Sequence, residues 1–254
     1  MPSVSDSLER FSDRVENYVK FRPGYPPEVL RLLRDEMGMT PASVVADIGS
    51  GTGISAKVFL KNGNTVYAVE PNDAMRSAAE EWLSEFPRLR SWKGAAEATG
   101  LDDGSVDFVT AAQAFHWFER ENARKEFLRI LKPGGYVVLI WNERQLNTTP
   151  FLRDYEQFML KFADDYIAVR HENIDRESLK AFFQREFRTR VFSNAQELDF
   201  DGLLGRVLSS SYMPNESDER FPAMKNELSA LVAKHAENGN IVLLYNTAVH
   251  YSQF

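Results

Sequence analysis

The 254-residue sequence contains no cysteine, which excludes disulfide bonds, thiolate metal ligands and a cysteine nucleophile. Histidine is also scarce. Its four copies, at positions 116, 171, 235 and 250, are far apart and show no spacing typical of a zinc site. We therefore predict that the protein holds no metal.

Long apolar runs and an excess of positive charge are lacking as well. No stretch of about 18 apolar residues predicts a membrane span, and the first twenty residues are too polar for a signal peptide. We expect a soluble, cytoplasmic protein with no membrane partner. The net charge of −7, from 30 basic and 37 acidic residues, argues against a nucleic-acid partner held through its phosphates.

Apolar periodicity predicts an alternation of strands and helices from residue 43 onward. Five strands are predicted at SVVADI, TVYAVE, RLRSWKG, VDFVTAAQA and YVVLIW, with KPGG as a tight turn before the fifth. Helical stretches then precede and separate two further strands, RTRVFSNAQELDF and IVLLYNTAVHYSQF. We predict an α/β fold with a doubly wound, mostly parallel seven-stranded sheet and a helical cap.

Residues 43–53, SVVADIGSGTG, end the first strand in an aspartate and three glycines at alternate positions. In open α/β sheets ligands bind beyond the carboxyl ends of the strands, where glycines let backbone amides approach them. The dinucleotide fingerprint Gly-x-Gly-x-x-Gly fails because Thr52 and Ala56 stand where it needs glycine, which disfavours a nicotinamide-dependent oxidoreductase. A carboxylate at Asp47 suits an ammonium or sulfonium ligand better than a pyrophosphate.

The motifs that follow resemble those of the class I S-adenosylmethionine-dependent methyltransferases. The family's first motif matches VVADIGSGTG, and its acid at the end of the second strand matches Glu70 of VYAVEPN. GAAEATGLDDGSVD, AAQAFHWF and LKPGG complete five ordered motifs over residues 43–142. AFHWF and YVKFRPGYP are similar to the type-11 branch, which includes trans-aconitate methyltransferase-like enzymes.

The resemblance implies a Rossmann-like methyltransferase fold and S-adenosylmethionine as cofactor. We expect a monomer or homodimer. It implies in-line methyl transfer to a small-molecule acceptor with a carboxylate, hydroxyl or amine; a non-catalytic adenosyl-binding protein remains the alternative. We interpret residues 1–254 as one methyltransferase domain. Within it we predict N-terminal lid helices (1–38), a cofactor-binding core (43–143), a helical cap insertion (144–187), and sheet completion with the substrate side (188–254).

The resemblance also implies roles for individual residues. Glu70 accepts hydrogen bonds from the ribose hydroxyls, a geometry that suits a vicinal diol. The implied cofactor-binding residues are Asp47, Gly49, Ser50, Gly51, Gly53, Glu70, Pro71, Met75, Ala96, Glu97, Gln113, Tyr18 and Arg22.

The acceptor side is predicted from aromatic and charged residues near the strand ends and the lid. The candidate substrate residues are Tyr25, Phe115, Trp117, Arg144 and Tyr212. His116 is the candidate catalytic base, since the pKa of histidine lies near neutrality. A shape or hydrogen-bonding role for His116 is the alternative, because a carboxylate acceptor needs no base.

Overall fold

A computed structural model describes residues 15–164 and 176–254. The lid helices predicted within residues 1–38 are described from Val15 onward. The helical cap insertion predicted over residues 144–187 is described up to residue 164 and from residue 176. His171 lies outside the described residues.

The described part of the chain forms a seven-stranded sheet. Its strands are β1 Val44–Ile48, β2 Thr65–Val69, β3 Leu89–Trp92, β4 Val106–Ala112, β5 Leu131–Arg144, β6 Arg188–Leu198 and β7 Ile241–Gln253. The strand order is β3-β2-β1-β4-β5-β7-β6, with β1 to β5 parallel and β7 antiparallel to both of its neighbours. The predicted doubly wound, mostly parallel sheet is confirmed. Its strand order reverses between β1 and β4, which is where such sheets bind ligands.

The described residues also form nine α-helices. They are α1 Val15–Phe21, α2 Pro27–Met37, α3 Ile54–Lys61, α4 Asp73–Trp82, α5 Arg120–Ile130, α6 Pro150–Phe162, α7 Arg176–Phe183, α8 Phe200–Leu208 and α9 Phe221–His235. Asn72 caps α4 by accepting a hydrogen bond from the Met75 N–H at 3.0 Å. Within the described ranges, no helix is long and apolar enough to cross a membrane.

Apolar side chains cover both faces of the sheet and build a third cluster at one end. Phe127 of α5 and Phe182 of α7 are buried on one face, and Leu33 of α2 and Phe59 of α3 are buried on the other. The third cluster joins α6, α8 and α9 to the first residues of β7. Since β7 runs antiparallel to β5, this helical cap lies at the carboxyl end of the parallel strands.

The prediction that KPGG forms a turn before the fifth strand is wrong, because this segment lies within β5. The register jumps from Val106 opposite Leu131 to Phe108 opposite Tyr136, so five residues of β5 span two residues of β4. The extra residues bulge from the strand. A bulge interrupts pairing only locally, which explains why a glycine–proline signal for a turn occurs inside a strand.

Candidate active site

Most of the predicted site residues line one cavity at the carboxyl ends of the parallel strands, beneath the cap. These residues are Tyr18, Arg22, Tyr25, Gly49, Ser50, Gly51, Glu70, Pro71, Met75, Ala96, Glu97, Gln113, Trp117, Arg144 and Tyr212. Asp47, Gly53, Phe115 and His116 do not belong to the cavity wall.

The three glycines after β1 have different surroundings. A Cβ at Gly49 would lie 2.6 Å from the Ala114 Cβ, and a Cβ at Gly53 would lie 2.5 Å from the Leu83 Cδ1. A Cβ at Gly51 would meet no atom within 4 Å, and this residue has a φ of +55°. Gly49 and Gly53 therefore permit close packing inside the protein, whereas Gly51 keeps space open on the cavity side.

Glu70 follows β2 directly, and its carboxylate is fixed by two backbone N–H groups. Gly51 donates to Oε2 at 2.8 Å and Asn72 donates to Oε1 at 2.9 Å. Burial raises the pKa of Glu70, and the two N–H donors oppose this rise. The glycine loop and the end of β2 thus form one rigid wall of the cavity, with a carboxylate exposed to it.

Asp47 lies near the end of β1 but is completely buried behind the loop. Its carboxylate accepts hydrogen bonds from the Ser55 Oγ at 2.5 Å and the Thr110 Oγ1 at 2.8 Å. Burial raises the pKa of Asp47 to about 6, against the opposing effect of these hydrogen bonds. Asp47 therefore ties the first turn of α3 and strand β4 to β1, which organises the loop without contributing to the cavity wall.

Gln113 directly follows β4 and has a strained backbone conformation. Its φ is +59°, which is uncommon for a residue with a side chain. The Gln113 Nε2 donates to the Asn142 carbonyl at 3.1 Å, while its Oε1 is buried with no hydrogen-bond partner among the described residues. Non-glycine residues with such backbone strain cluster at functional sites.

Phe115, a candidate substrate residue, and His116, the candidate catalytic base, do not line the cavity. Phe115, His116 and Trp117 form a single turn of 3₁₀-helix. Because this helix has 3.0 residues per turn, successive side chains point about 120° apart. Trp117 lines the cavity. Phe115 is completely buried against Phe182, with ring centroids 4.6 Å apart, and the His116 ring lies 4.9 Å from that of Trp117.

The loop that contains Ala96 and Glu97 is held in place by a side chain of α5. Glu126 accepts hydrogen bonds from the Thr99 N–H at 2.7 Å and the Thr99 Oγ1 at 2.6 Å, and it forms an ion pair with Arg129. These contacts, with that of Arg129 foremost, lower the pKa of Glu126 to about 2. The loop is therefore held against the cavity by an ionised carboxylate.

The cavity wall also contains residues that the sequence did not predict, among them Asn142, Arg206 and Tyr245. Asn142 is buried and donates to the Gly24 carbonyl at 3.0 Å, which fixes the segment between α1 and α2. Arg206 and Tyr245 reach the cavity only because α8 and β7 pack in the cap. In the sequence, Arg206 is marked only by being a single charged residue within the otherwise apolar segment GLLGRVL.

Three buried oxygen atoms of the wall lack hydrogen-bond partners among the described residues: Ser50 Oγ, Thr52 Oγ1 and Gln113 Oε1. Buried polar groups in folded proteins are nearly always hydrogen-bonded. Together with the carboxylate of Glu70 and the open side of Gly51, they fit a polar ligand that carries hydroxyl or amino groups.

Comparisons with known proteins agree with this geometry. Residues 46–139 match the type-11 methyltransferase family model, described as a methyltransferase domain. An uncharacterized methyltransferase of Schizosaccharomyces pombe is 28% identical over 95% of each chain, and one of Mycobacterium tuberculosis strain H37Rv is 38% identical over 56% of each.

The fold is similar to that of a candidate type II methyltransferase of Anaeromyxobacter dehalogenans. That solved structure gives a TM-score of 0.64 at 21% identity, covering 92% of this chain and 98% of the other. The motifs of the first loop and of the second strand end lie within the matched domain and face the cavity. The chain is therefore similar to the class I S-adenosylmethionine-dependent methyltransferases, with a methyltransferase domain matched over residues 46–139.

Proposed function

We propose that this methyltransferase acts on a small organic acceptor that binds beside S-adenosylmethionine in the cavity. The observation that carries the proposal is the cradle of Gly51 and Glu70, with unpartnered buried oxygens around it, in a cavity covered by α1 and the cap. A covered cavity of this kind admits a small molecule more readily than a segment of a folded macromolecule.

Four parts of the wall would hold the cofactor. Glu70 would accept hydrogen bonds from the ribose hydroxyls, and Gly51 would allow its backbone to approach the ligand. Met75 and the loop at Ala96 would pack on the adenine. Gln113 would contact the methionine portion. When bound, the cofactor supplies a methyl group on a positively charged sulfur.

The remaining residues would position the acceptor and exclude water. Methyl transfer of this type depends on alignment and dehydration more than on acid–base groups. Trp117 presents an aromatic ring to the cavity, and such rings attract cations. No histidine within residues 15–164 and 176–254 lines the cavity. The proposal therefore favours an acceptor that reacts without a histidine base, such as a carboxylate or a neutral amine.

The trans-aconitate-like subtype, the cytoplasmic location and the monomeric or homodimeric state stay predictions from the sequence. A nucleic-acid acceptor is disfavoured by the net charge of −7, because phosphate contacts need an excess of basic groups.

A calorimetric titration with S-adenosylhomocysteine tests the cofactor part of the proposal. The wild type is expected to bind, and Glu70→Ala is expected to lose at least about tenfold in affinity, as for a lost charge-assisted hydrogen bond. Glu85→Ala, which removes an exposed acid beyond α4, is the matched control and is expected to bind as the wild type. Thermal unfolding of each variant checks that it is folded.

Transfer of labelled methyl groups tests the acceptor part. Small organic acids, alcohols and amines are compared with RNA, DNA and a folded-protein mixture. Labelling of the macromolecules alone would contradict the proposal of a small acceptor.

A further inference from the structure

Strand β6 is a long edge of the sheet. Its 11 residues pair with β7 along their whole length, from Arg188 opposite Tyr251 to Leu198 opposite Ile241, and no described strand pairs with its other side. The opposite edge, β3, has only 4 residues. An edge strand exposes a row of backbone N–H and C=O groups that another strand can bind, and proteins often prevent this by keeping edges short. β6 is not protected in this way.

β6 also lacks the residues that usually protect an edge. Its sequence, RTRVFSNAQEL, contains no proline, glycine or lysine, and it pairs residue for residue with β7. Arg188 and Arg190 are drawn away from the edge, because they form ion pairs with Glu36 of α2 at 3.4 Å and 3.0 Å. Val191, near the middle of the strand, is 58% exposed. The edge is therefore open and carries an exposed apolar side chain.

Two hydrogen bonds indicate which backbone groups of β6 face outward. The Ala195 N–H donates to the Asn194 Oδ1 at 3.0 Å, and the Thr189 carbonyl accepts from the Arg190 Nη1 at 3.3 Å. Both groups are thus bound by side chains on the side away from β7. Alternate residues of a strand direct their backbone groups to the same side. The residues with outward N–H and C=O groups are Thr189, Val191, Ser193, Ala195 and Glu197.

The even-numbered side chains of β6 fix the strand from inside the molecule. The Asn194 Nδ2 donates to the Gly24 carbonyl at 2.9 Å, and the Gln196 Nε2 donates to the Phe21 carbonyl at 2.9 Å. A strand that is already held in its extended conformation loses little conformational freedom when a second strand pairs with it. β6 is therefore preorganised for pairing.

The charges along β6 favour a second copy of the same strand as its partner. Arg188 and Arg190 lie at the start of the strand, whereas Glu197 and Asp199 lie at and just after its end. Antiparallel pairing of two copies places the basic start of one strand beside the acidic end of the other, whereas parallel pairing would place like charges together. A two-fold pairing is also closed, since only the short β3 edges remain free.

We propose that β6 pairs antiparallel with β6 of a second copy of this chain, with the two-fold axis at Ser193. This register includes all 11 residues of the strand and places Val191 opposite Ala195 of the second copy, on one face of the joined sheet. The outward backbone groups would form about ten hydrogen bonds, which is typical of a protein–protein interface.

Sedimentation equilibrium of the full chain tests the dimer. The wild type is expected to dimerise with a Kd in the micromolar range or below. Val191→Lys, which places a charge in the middle of the edge, is expected to weaken dimerisation at least about tenfold. Val242→Lys is the matched control, because Val242 is a 43% exposed valine of β7, one strand away from the edge, and it is expected to dimerise as the wild type.

A wild type that stays monomeric throughout the micromolar range would overturn the inference. A dimer that Val191→Lys leaves unchanged would overturn it as well, because the interface would then lie elsewhere. Thermal unfolding of each variant checks that it is folded.

Cysteine cross-linking tests the register independently. The chain has no cysteine, so a single introduced thiol reports only on its own position. At the two-fold axis, the Cα atoms of Ser193→Cys in the two copies would lie about 5.5 Å apart, within the range of a disulfide. Ala195→Cys, on the same face of β6, is the matched control, because its two copies would lie about 14 Å apart along the strand, beyond that range.

On mild oxidation, Ser193→Cys is expected to form a disulfide-linked dimer, and Ala195→Cys is expected to stay monomeric on a denaturing gel without reductant. Under reducing conditions both variants are expected to unfold at the Tm of the wild type, since both positions are exposed. If Ser193→Cys forms no more cross-linked dimer than Ala195→Cys, the two-fold axis does not lie at Ser193 and the inference is wrong.

Discussion

Gly51 and Gly104 form a matched pair of glycines that separates backbone strain from ligand binding. Their φ angles are +55° and +56°, and a Cβ at either position would meet no atom within 4 Å. Gly51 lines the cavity, whereas Gly104 lies in the exposed turn before β4. Alanine at either position therefore adds the same left-handed strain but blocks the cavity only at residue 51.

The strain costs about 1–2 kcal/mol for a residue with a Cβ in this conformation. Both Gly51→Ala and Gly104→Ala are thus expected to lower Tm by roughly 2–8 °C, since about 1 kcal/mol shifts Tm by about 2–4 °C in a chain of this length. Thermal unfolding without ligand measures this common effect.

Binding of S-adenosylhomocysteine is expected to differ between the two variants. The new Cβ of Gly51→Ala would occupy space that the ligand needs, which we expect to weaken binding about tenfold, or about 1.4 kcal/mol. Gly104→Ala is expected to bind as the wild type. Equal affinities of both variants in calorimetric titrations would refute the placement of the ligand against Gly51.

Three further predictions concern the support of the cavity. The ionised Glu126 carboxylate contributes roughly 2–3 kcal/mol to the free energy of unfolding above its ordinary pKa of about 4.5, and this contribution is lost as the pH falls toward 2. In urea unfolding, the free energy of unfolding of Glu126→Gln should therefore fall less steeply between about pH 5 and pH 2 than that of the wild type. Phe115→Ala is expected to cost about 3–5 kcal/mol in urea unfolding, because the ring is fully buried, and an unchanged stability would contradict its place in the core. Gln113→Gly is expected to stabilise the protein by roughly 1 kcal/mol in thermal unfolding and to weaken S-adenosylhomocysteine binding; a destabilised variant would contradict the strain at this residue.

The parts of the site that the sequence predicts are those that local structure positions. Gly51 lies in the loop three residues after the end of β1, and Glu70 directly follows the neighbouring parallel strand β2, so both lie at the same edge of the sheet. The strand–helix alternation predicts the sheet for the same reason, since each element is marked by its own periodicity and its own start and stop residues.

The parts that the sequence does not predict depend on contacts between distant segments. Arg206 reaches the cavity through the packing of α8 against α1, which involves Gly205 and Phe21, more than 180 residues apart. Phe115 turns into the core because three consecutive aromatic residues in a 3₁₀ turn point in different directions. Neither fact is encoded in a short motif.

A crystal structure of the full chain with S-adenosylhomocysteine is the most direct test of where the cofactor binds. We predict that both ribose hydroxyls donate to the Glu70 carboxylate and that the ligand contacts the backbone of Gly51. Ligand density elsewhere in the protein, or a ribose that does not touch Glu70, would contradict this account.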